Sequence, residues 1–262
     1  MTTLELRDVV KEYRVGRRPL RAVDRVSLTL EPGRTIALVG QSGSGKSTIA
    51  KLLMQLERPT SGQILVDGQP VARRGRGLRT YRNQVQMVFQ DPFASLNPYH
   101  SIGHHLARPV ALHHPEFSGA QVEERVRDLL RRVRLDPDFA RRRPHELSGG
   151  QRQRVAIARA LAPEPGILVA DEPVSMLDVS IRLGVLNLLS RLQREENLGV
   201  LYITHDLATA RHFSDEILVL YRGEVVERGP ADDVILRPQH EYTRLLASAA
   251  PDPDRRLAEL GH

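Results

Sequence analysis

Residues 40–48 constrain this chain more than any other segment, because their sequence, GQSGSGKST, matches the pattern G-x-x-x-x-G-K-[ST]. An apolar run at residues 35–39 precedes the segment, and a helical pattern begins at Lys46. In this strand-loop-helix context the glycines let the backbone curl until its N–H groups point at phosphate oxygens. The residues expected at the phosphates are Gly40, Ser42, Gly43, Ser44, Gly45, Lys46, Ser47 and Thr48. The sequence therefore predicts a site for a nucleoside triphosphate.

Two side chains of this phosphate loop have distinct expected roles. Lys46 reaches the β and γ phosphates as a point charge, and the hydroxyl of Ser47 ligates Mg²⁺. The helix that begins at Lys46 adds the partial positive charge of its N-terminus. The alternative is a glycine-rich turn from strand to helix that binds nothing.

A second feature is the pair of acids that ends the apolar run at residues 167–170. At the carboxyl edge of a parallel sheet, beside the phosphate loop, Asp171 is expected to hold Mg²⁺ through its waters. Glu172 is expected to orient and deprotonate the attacking water. The alternative is that both acids merely end a strand.

Composition narrows the class of protein. The chain has 262 residues, 40% of them hydrophobic, and no cysteine, which excludes a disulfide scaffold, an iron–sulfur cluster and a thiol nucleophile. The net charge is +6, and 35 of the 38 basic residues are arginines; the three lysines are Lys11, Lys46 and Lys51. This bias fits either a general preference for arginine or a surface that binds polyanions.

No apolar run is long enough to span a bilayer, and residues 1–6 alternate like a strand. We therefore expect a chain kept in the cytoplasm unless a partner holds it at a membrane.

The order of predicted elements indicates an α/β sheet. Early strands are predicted at residues 4–10, 22–30, 35–39 and 62–67, with a helix from Lys46 through Leu56 that Pro59 ends. Residues 91–146 contain no strand pattern and include an amphipathic helix at 121–133, so they predict a helical insertion. Helices at 151–162 and 179–195 then alternate with strands at 167–170 and 200–204, before a hairpin at 216–221 and 224–227 across Arg222 and Gly223 and a final helix from Gln239. This alternation favours parallel pairing.

The sequence LSGGQ at residues 147–151 resembles the signature motif of the ATP-binding cassette (ABC) family. Its Ser148, Gly149, Gly150 and Gln151 open a predicted helix and form a second anion site there. In the family this site faces the γ-phosphate bound by the opposite subunit. The resemblance therefore implies a head-to-tail pair of cassettes with two ATP molecules between them.

Further positions match the family in order along the chain. Tyr13 resembles the aromatic residue that stacks on adenine, although a strand-end tyrosine packed on the sheet is the alternative. Gln90 resembles the glutamine that senses Mg²⁺ and the attacking water, and His205 the histidine that contacts the γ-phosphate and steadies the catalytic carboxylate. Asp178 closes a segment that resembles the family's D-loop, with Met176 where alanine is usual. Because Lys46, Gln90, Asp171, Glu172 and His205 are all present, the resemblance implies a competent ATPase.

The resemblance also implies a fold and its boundaries. We expect a P-loop NTPase cassette over residues 1–250, with a RecA-like α/β core, an antiparallel β subdomain and a helical subdomain. The helical insertion lies at about 91–146 and a C-terminal extension at about 230–250. Residues 251–262, rich in Pro, Asp and Arg, are expected to form a loose tail.

Two segments resemble one branch of the family, the importers of oligopeptides, dipeptides and nickel. These are residues 90–98 and residues 238–246, where Glu241 stands in place of the usual proline. The resemblance implies a motor that acts on two transmembrane permease subunits at the cytoplasmic face of the cell membrane, served indirectly by an extracytoplasmic solute-binding protein. The second cassette is either another copy or a homologous chain. The alternative is an ABC ATPase of nucleic acids or ribosomes, which the arginine excess favours, but the long insertion or fused second cassette of those branches is absent, so no nucleic acid is expected.

A histidine cluster completes the set of candidate sites. It comprises His100, His104, His105, His113 and His114. His100 and His104 have the i, i+4 spacing of a metal pair on a helix. Polar loop histidines near the surface that contacts the permease are the alternative.

Overall fold

The computed structural model describes residues 2–16 and 18–249, which form two β-sheets and ten α-helices. The predicted tail, residues 251–262, lies outside the described residues. Among the described helices, none combines the length and the apolar character needed to cross a membrane.

The smaller sheet is antiparallel and has the strand order β2-β1-β4-β5. Alternating burial along β1 and β2 turns one face of this sheet towards the core. Its strands are β1 (Leu4–Val15), β2 (Arg18–Leu30), β4 (Ser61–Val66) and β5 (Gln69–Pro70).

The larger sheet has the order β10-β9-β3-β8-β7-β6, and all its pairs except β9 with β10 are parallel. Its strands are β3 (Thr35–Val39), β6 (Val85–Val88), β7 (Ile167–Asp171), β8 (Gly199–Thr204), β9 (Glu216–Tyr221) and β10 (Glu224–Pro230). The central strands are buried on both faces, as continuous apolar runs predict. Because β3, β6, β7 and β8 run in the same direction, the loops that follow them meet at one edge.

Two apolar clusters cover the two faces of this sheet. Ala37 and Val39 belong to the cluster that includes the helical insertion, whereas Ile36 and Leu38 belong to the cluster that includes the antiparallel sheet. The helices are α1 (Lys46–Leu53), α2 (Gly75–Gln84), α3 (Pro92–Ser95), α4 (Ile102–His113), α5 (Gly119–Arg132), α6 (Gly149–Leu161), α7 (Val179–Glu195), α8 (Leu207–Phe213), α9 (Ala231–Leu236) and α10 (Glu241–Ala249). The expected class, an α/β core with an antiparallel sheet and a helical part, is confirmed.

The helical insertion between β6 and β7 is stabilised by local capping and by one apolar face of each helix. Ser101 and Ser118 accept hydrogen bonds from backbone N–H groups in the first turns of α4 and α5. The buried side chains of these two helices pack into the cluster on the insertion's side of the sheet; they are Ile102, Leu106, Val110, Val126, Leu129 and Leu130. As expected, no strand interrupts the described residues 91–146.

Two helices show where the structure differs in detail from the sequence expectations. Helix α1 ends at Leu53 rather than Leu56, because Gln55 adopts a positive φ of 53° and the chain turns back. The backbone N–H of Leu56 then donates to the carbonyl of Lys51. The second case is α2, which the sequence did not predict, because Tyr81 is the only buried residue of this polar helix.

Candidate active site

Four loops converge at the carboxyl edge of the larger sheet. The phosphate loop follows β3, Gln90 follows β6, Glu172 follows Asp171 at the end of β7, and His205 follows β8. Together with β1 and β2 they enclose a cleft of about 770 Å³. Its lining residues are Tyr13, Leu20, Ala22, Gln41, Ser42, Gly43, Gly45, Lys46, Ser47, Thr48, Gln90, Glu172 and His205.

The phosphate loop is packed closely on its neighbours, which explains two of its glycines. Gly45 has a φ of 114°, and a Cβ there would lie 2.3 Å from the carbonyl oxygen of Ala22. A Cβ on Gly40 would lie 2.3 Å from the carbonyl oxygen of Leu220. The backbone N–H of Gly223 donates to the carbonyl of Ser44 at 2.9 Å. The loop is therefore supported by β2 on one side and by the β9–β10 hairpin on the other.

Lys46 is buried within the loop, with 6% of its surface exposed. Its Nζ atom donates to the carbonyls of Gly40 and, at 2.9 Å, Gln41. Burial lowers the pKa of the ammonium, and the negative charges of Glu172 and Asp171 oppose that shift. The loop thus holds a cation close to both acids.

Glu172 is fixed from three sides. Its Oε2 accepts a hydrogen bond from Gln90 Nε2 at 3.0 Å, and its Oε1 lies 3.1 Å from His205 Nδ1. Its backbone N–H donates to the carbonyl of Ile203 at 2.8 Å, and its φ is 44°. The structure therefore brings the predicted base, the predicted glutamine and the predicted histidine into direct contact.

Asp171 differs from Glu172 in its surroundings. Burial raises the pKa of its carboxyl, as does the negative charge of Glu172, whereas Lys46 lowers it. Asp171 lines a second cleft of about 720 Å³ that also borders Gln90, and Ser47 lies at the first cleft. A carboxylate, a hydroxyl and a side-chain amide are oxygen donors of the kind that Mg²⁺ prefers, so the predicted ligand set fits that ion.

The predicted second anion site, residues 148–151, does not line the 770 Å³ cleft of its own chain. Ser148 caps α6: its hydroxyl accepts from the backbone N–H of Gln151 at 3.3 Å, and Gln151 Oε1 accepts from the backbone N–H of Ser148 at 2.9 Å. A Cβ on Gly150 would lie 2.5 Å from Ile181 Cγ2 of α7. Ser148 and Asp178 are both exposed, so this surface is open to another molecule.

Tyr13 lies in the cleft, and its neighbour across the antiparallel pair was missed by the sequence analysis. Leu20 pairs with Tyr13 in the β1–β2 register and also lines the cleft, with 55% of its surface exposed. Lys11 Nζ lies 4.8 Å from the centre of the Tyr13 ring. Leu20 and Ala22 line the cleft because β2 pairs with β1, and the local sequence does not reveal that pairing.

The histidine cluster does not have the geometry expected of a metal pair on a helix. His100 precedes Ser101, the N-cap of α4, so the possible i, i+4 pair of His100 and His104 on one helix is not formed. Their rings stack instead, with centroids 4.1 Å apart. His105 Nε2 lies 3.0 Å from the carbonyl oxygen of Asn97, and burial lowers the pKa of its imidazole. Among the described residues, no three or more His, Cys, Asp or Glu side chains are grouped so that they could hold a metal ion.

The second cleft lies between β6, α3 and α6. It is lined by Gln86, Met87, Phe89, Gln90, Asp91, Ala94, Ser95, Arg159, Ala160 and Asp171. Phe89 is 46% exposed, and Arg159 donates to the carbonyl of Ser95 at 2.5 Å. An apolar ring and a cation thus lie beside the loop that carries Gln90.

The chain matches two protein families. Residues 23–175 match the ABC transporter family, and residues 226–262 match the C-terminal region of oligopeptide/dipeptide transporters. The second match begins in β10 and runs beyond the described residues.

Individual proteins show the same relationship. The chain is 46% identical to the oligopeptide transport ATP-binding protein OppF of Escherichia coli, over 95% of this chain and 75% of that protein. It is 48% identical to the glutathione import ATP-binding protein GsiA of Pectobacterium atrosepticum, over 92% of this chain but 39% of that protein's length. Its fold matches the ATP-binding cassette MJ0796, solved as a dimer in a post-hydrolysis state with ADP and Pi, with a TM-score of 0.76 and 32% identity over 87% of this chain and 98% of that one. The chain is an ATPase that belongs to the ABC transporter family.

Proposed function

We propose that the chain is the motor subunit of an importer for peptides or a related solute, and that the 770 Å³ cleft hydrolyses ATP. The observation that carries this proposal is the contact of Glu172 with Gln90 and His205 beside the phosphate loop. A carboxylate held by two polar side chains, at the end of a strand next to a phosphate site, is suited to take a proton from water.

The predicted site residues in and beside the cleft have distinct parts in this reaction. The backbone N–H groups of the phosphate loop and Lys46 bind the β and γ phosphates, and Tyr13 and Leu20 offer apolar surface to the adenine ring. Ser47, Asp171 and Gln90 hold Mg²⁺, which neutralises charge on the phosphates when bound. Glu172 accepts the proton of the attacking water, while His205 keeps the carboxylate in place and approaches the γ-phosphate.

Ser148, Gly149, Gly150, Gln151 and Asp178 act on the nucleotide of a second cassette. The support for this step is the exposure of Ser148, which caps α6, and of Asp178, which caps α7, together with their position outside the chain's own 770 Å³ cleft. ATP bound to one chain is then contacted by the signature residues of the other, which favours the closed pair. Hydrolysis removes the shared charge, and the pair opens.

Two transmembrane permease subunits receive this motion at the cytoplasmic face of the membrane. We place their contact at the 720 Å³ cleft and the neighbouring insertion, residues 91–146, because this cleft borders Gln90 and combines the exposed ring of Phe89 with the guanidinium of Arg159. The peptide cargo is supported by the match of residues 226–262 and by the name of OppF. An extracytoplasmic binding protein delivers the cargo to the permeases.

Peptide uptake in the native organism tests the whole proposal. Replacing the chain by Lys46→Ala or Glu172→Gln should abolish uptake of labelled di- and oligopeptides, and the wild-type chain should carry the permeases with it on purification from membranes. Normal peptide uptake in both variants, together with ATP turnover that DNA or RNA stimulates and high salt suppresses, would favour the nucleic-acid alternative instead.

A further inference from the structure

Tyr242 connects the C-terminal helix α10 to the phosphate loop. Its hydroxyl accepts a hydrogen bond from the backbone N–H of Gln41 at 2.9 Å, although 201 positions separate the two residues. The tyrosine is buried, with 6% of its surface exposed. Neither residue is among the site residues predicted from the sequence.

Both backbone polar groups of Gln41 form hydrogen bonds that hold the phosphate loop. Its carbonyl accepts from Lys46 Nζ at 2.9 Å and from the backbone N–H of Ser44 at 3.2 Å. Gly40, immediately before it, is confined against the carbonyl of Leu220. The hydrogen bond that the Gln41 N–H donates to Tyr242 therefore fixes the remaining backbone group of this residue, at which the loop begins to curl.

The hydroxyl of Tyr242 is itself held in place. Its ring lies against that of Tyr221 at the end of β9, with centroids 4.1 Å apart. The carboxylate of Glu227 accepts backbone hydrogen bonds from Gln239 at 2.8 Å and His240 at 2.9 Å, and these bonds lower the pKa of that carboxyl against the effect of its burial. The residue before α10 is thus tied to β10, so that the helix presents Tyr242 to the loop in one orientation.

We propose that Tyr242 is a positioning residue for ATP binding, through which the docking of α10 sets the shape of the phosphate loop. The inference rests on the proposed nucleotide site. Because coupling between two sites is reciprocal, bound ATP stabilises the docking of α10, and anything that displaces α10 weakens ATP binding. The C-terminal region thereby becomes a place where a partner can adjust the affinity for ATP.

Tyr242→Phe tests this directly, since it removes the hydroxyl and keeps the ring. The matched control is Tyr221→Phe, which removes a hydroxyl from the same ring pair; among the described residues this hydroxyl has no hydrogen-bond partner. Loss of one net hydrogen bond should weaken binding of Mg²⁺ with a non-hydrolysable ATP analogue by roughly two- to tenfold. The KM for ATP should rise by a similar factor while kcat changes little, and the control should match the wild type.

Hydrogen exchange at the Gln41 amide, measured without nucleotide, separates this inference from the proposed function. The amide should exchange faster in Tyr242→Phe than in the wild type and in Tyr221→Phe, at similar melting temperatures. Unchanged exchange and unchanged analogue affinity in Tyr242→Phe would overturn the inference, as would an equal loss of affinity in both variants. Failure of the wild-type chain to bind the analogue would instead refute the proposed function, because the exchange measurement would still report the contact.

Discussion

The Nδ1 atom of His205 lies 3.1 Å from Oε1 of Glu172, while Gln90 donates to the other carboxylate oxygen at 3.0 Å. The three residues follow three different strands, β8, β7 and β6, which are neighbours in the larger sheet. Parallel pairing of these strands therefore places Gln90 and His205 on either side of the Glu172 carboxylate. Short loops are enough to bring the three side chains into contact.

The neighbouring strand β2 leaves no room for a side chain at Gly45 of the phosphate loop. Gly45→Ala should weaken ATP binding at least tenfold and destabilise the fold by about 1–3 kcal/mol, since its φ is 114° and the new Cβ would collide with the carbonyl of Ala22. Gly43→Ala is the control: its φ is 80°, but no atom lies within 4 Å of the added Cβ. Chemical denaturation and analogue titration measure both effects. Equal losses in the two variants would mean that contact with Ala22 is unimportant.

We expect the buried charge of Asp171 to lower the stability of the fold while it supports Mg²⁺ binding. Asp171→Asn removes a charge whose burial is unfavourable, so we expect a gain of about 0.5–2 kcal/mol at neutral pH and weaker binding of Mg²⁺ with nucleotide. Because the pKa of the folded state is raised above the ordinary value, the wild type takes up a proton on folding at acid pH. The gain should therefore be largest above that raised pKa and shrink as the pH falls through it. Thermal unfolding over a pH series checks this, and a gain that grows on acidification would contradict it.

We expect Tyr13 to bind ATP by stacking its aromatic ring on the adenine base. Tyr13→Ala should weaken ATP binding about tenfold, because stacking of an aromatic side chain on a base contributes about 1–3 kcal/mol. Tyr13→Phe should retain the affinity of the wild type. Competition by GTP distinguishes stacking from base-specific contacts, since stacking tolerates either purine. Unchanged affinity in the alanine variant would favour the other reading, a strand-end tyrosine that packs on the sheet.

The parts of the site that lie in short segments could be predicted from the sequence. Lys46, Asp171 and His205 each lie at or after the end of an apolar strand. Because these strands are parallel, the three residues meet at one edge of the sheet. Leu20 could not be predicted, because its position in the cleft depends on its pairing with Tyr13. The bond between Tyr242 and Gln41 depends on how α10 docks, and helix α2 lacks the apolar stripe that would reveal it.

We expect Ser148 to affect nucleotide binding by the partner cassette more than nucleotide binding by its own chain. In a complex with a second cassette, Ser148→Arg should reduce labelling of the partner by a photoreactive ATP analogue and leave labelling of this chain in place. Ser118→Arg is a matched control, because Ser118 is also the exposed first residue of a capping box, at α5. Loss of labelling confined to the chain that carries Ser148→Arg would contradict the shared site.

The central claim, that Glu172 accepts the proton of the water that attacks ATP, is tested by Glu172→Gln. The substitution keeps the size of the side chain and removes its basicity, while the phosphate loop and Tyr13 are untouched. Binding of ATP with Mg²⁺ should stay within about threefold of the wild type, and the turnover rate should fall by a factor of 10² or more, the typical contribution of a general base. Single-turnover hydrolysis of radiolabelled ATP, measured beside equilibrium binding on the same preparation, gives both numbers. Wild-type turnover in Glu172→Gln would contradict the account.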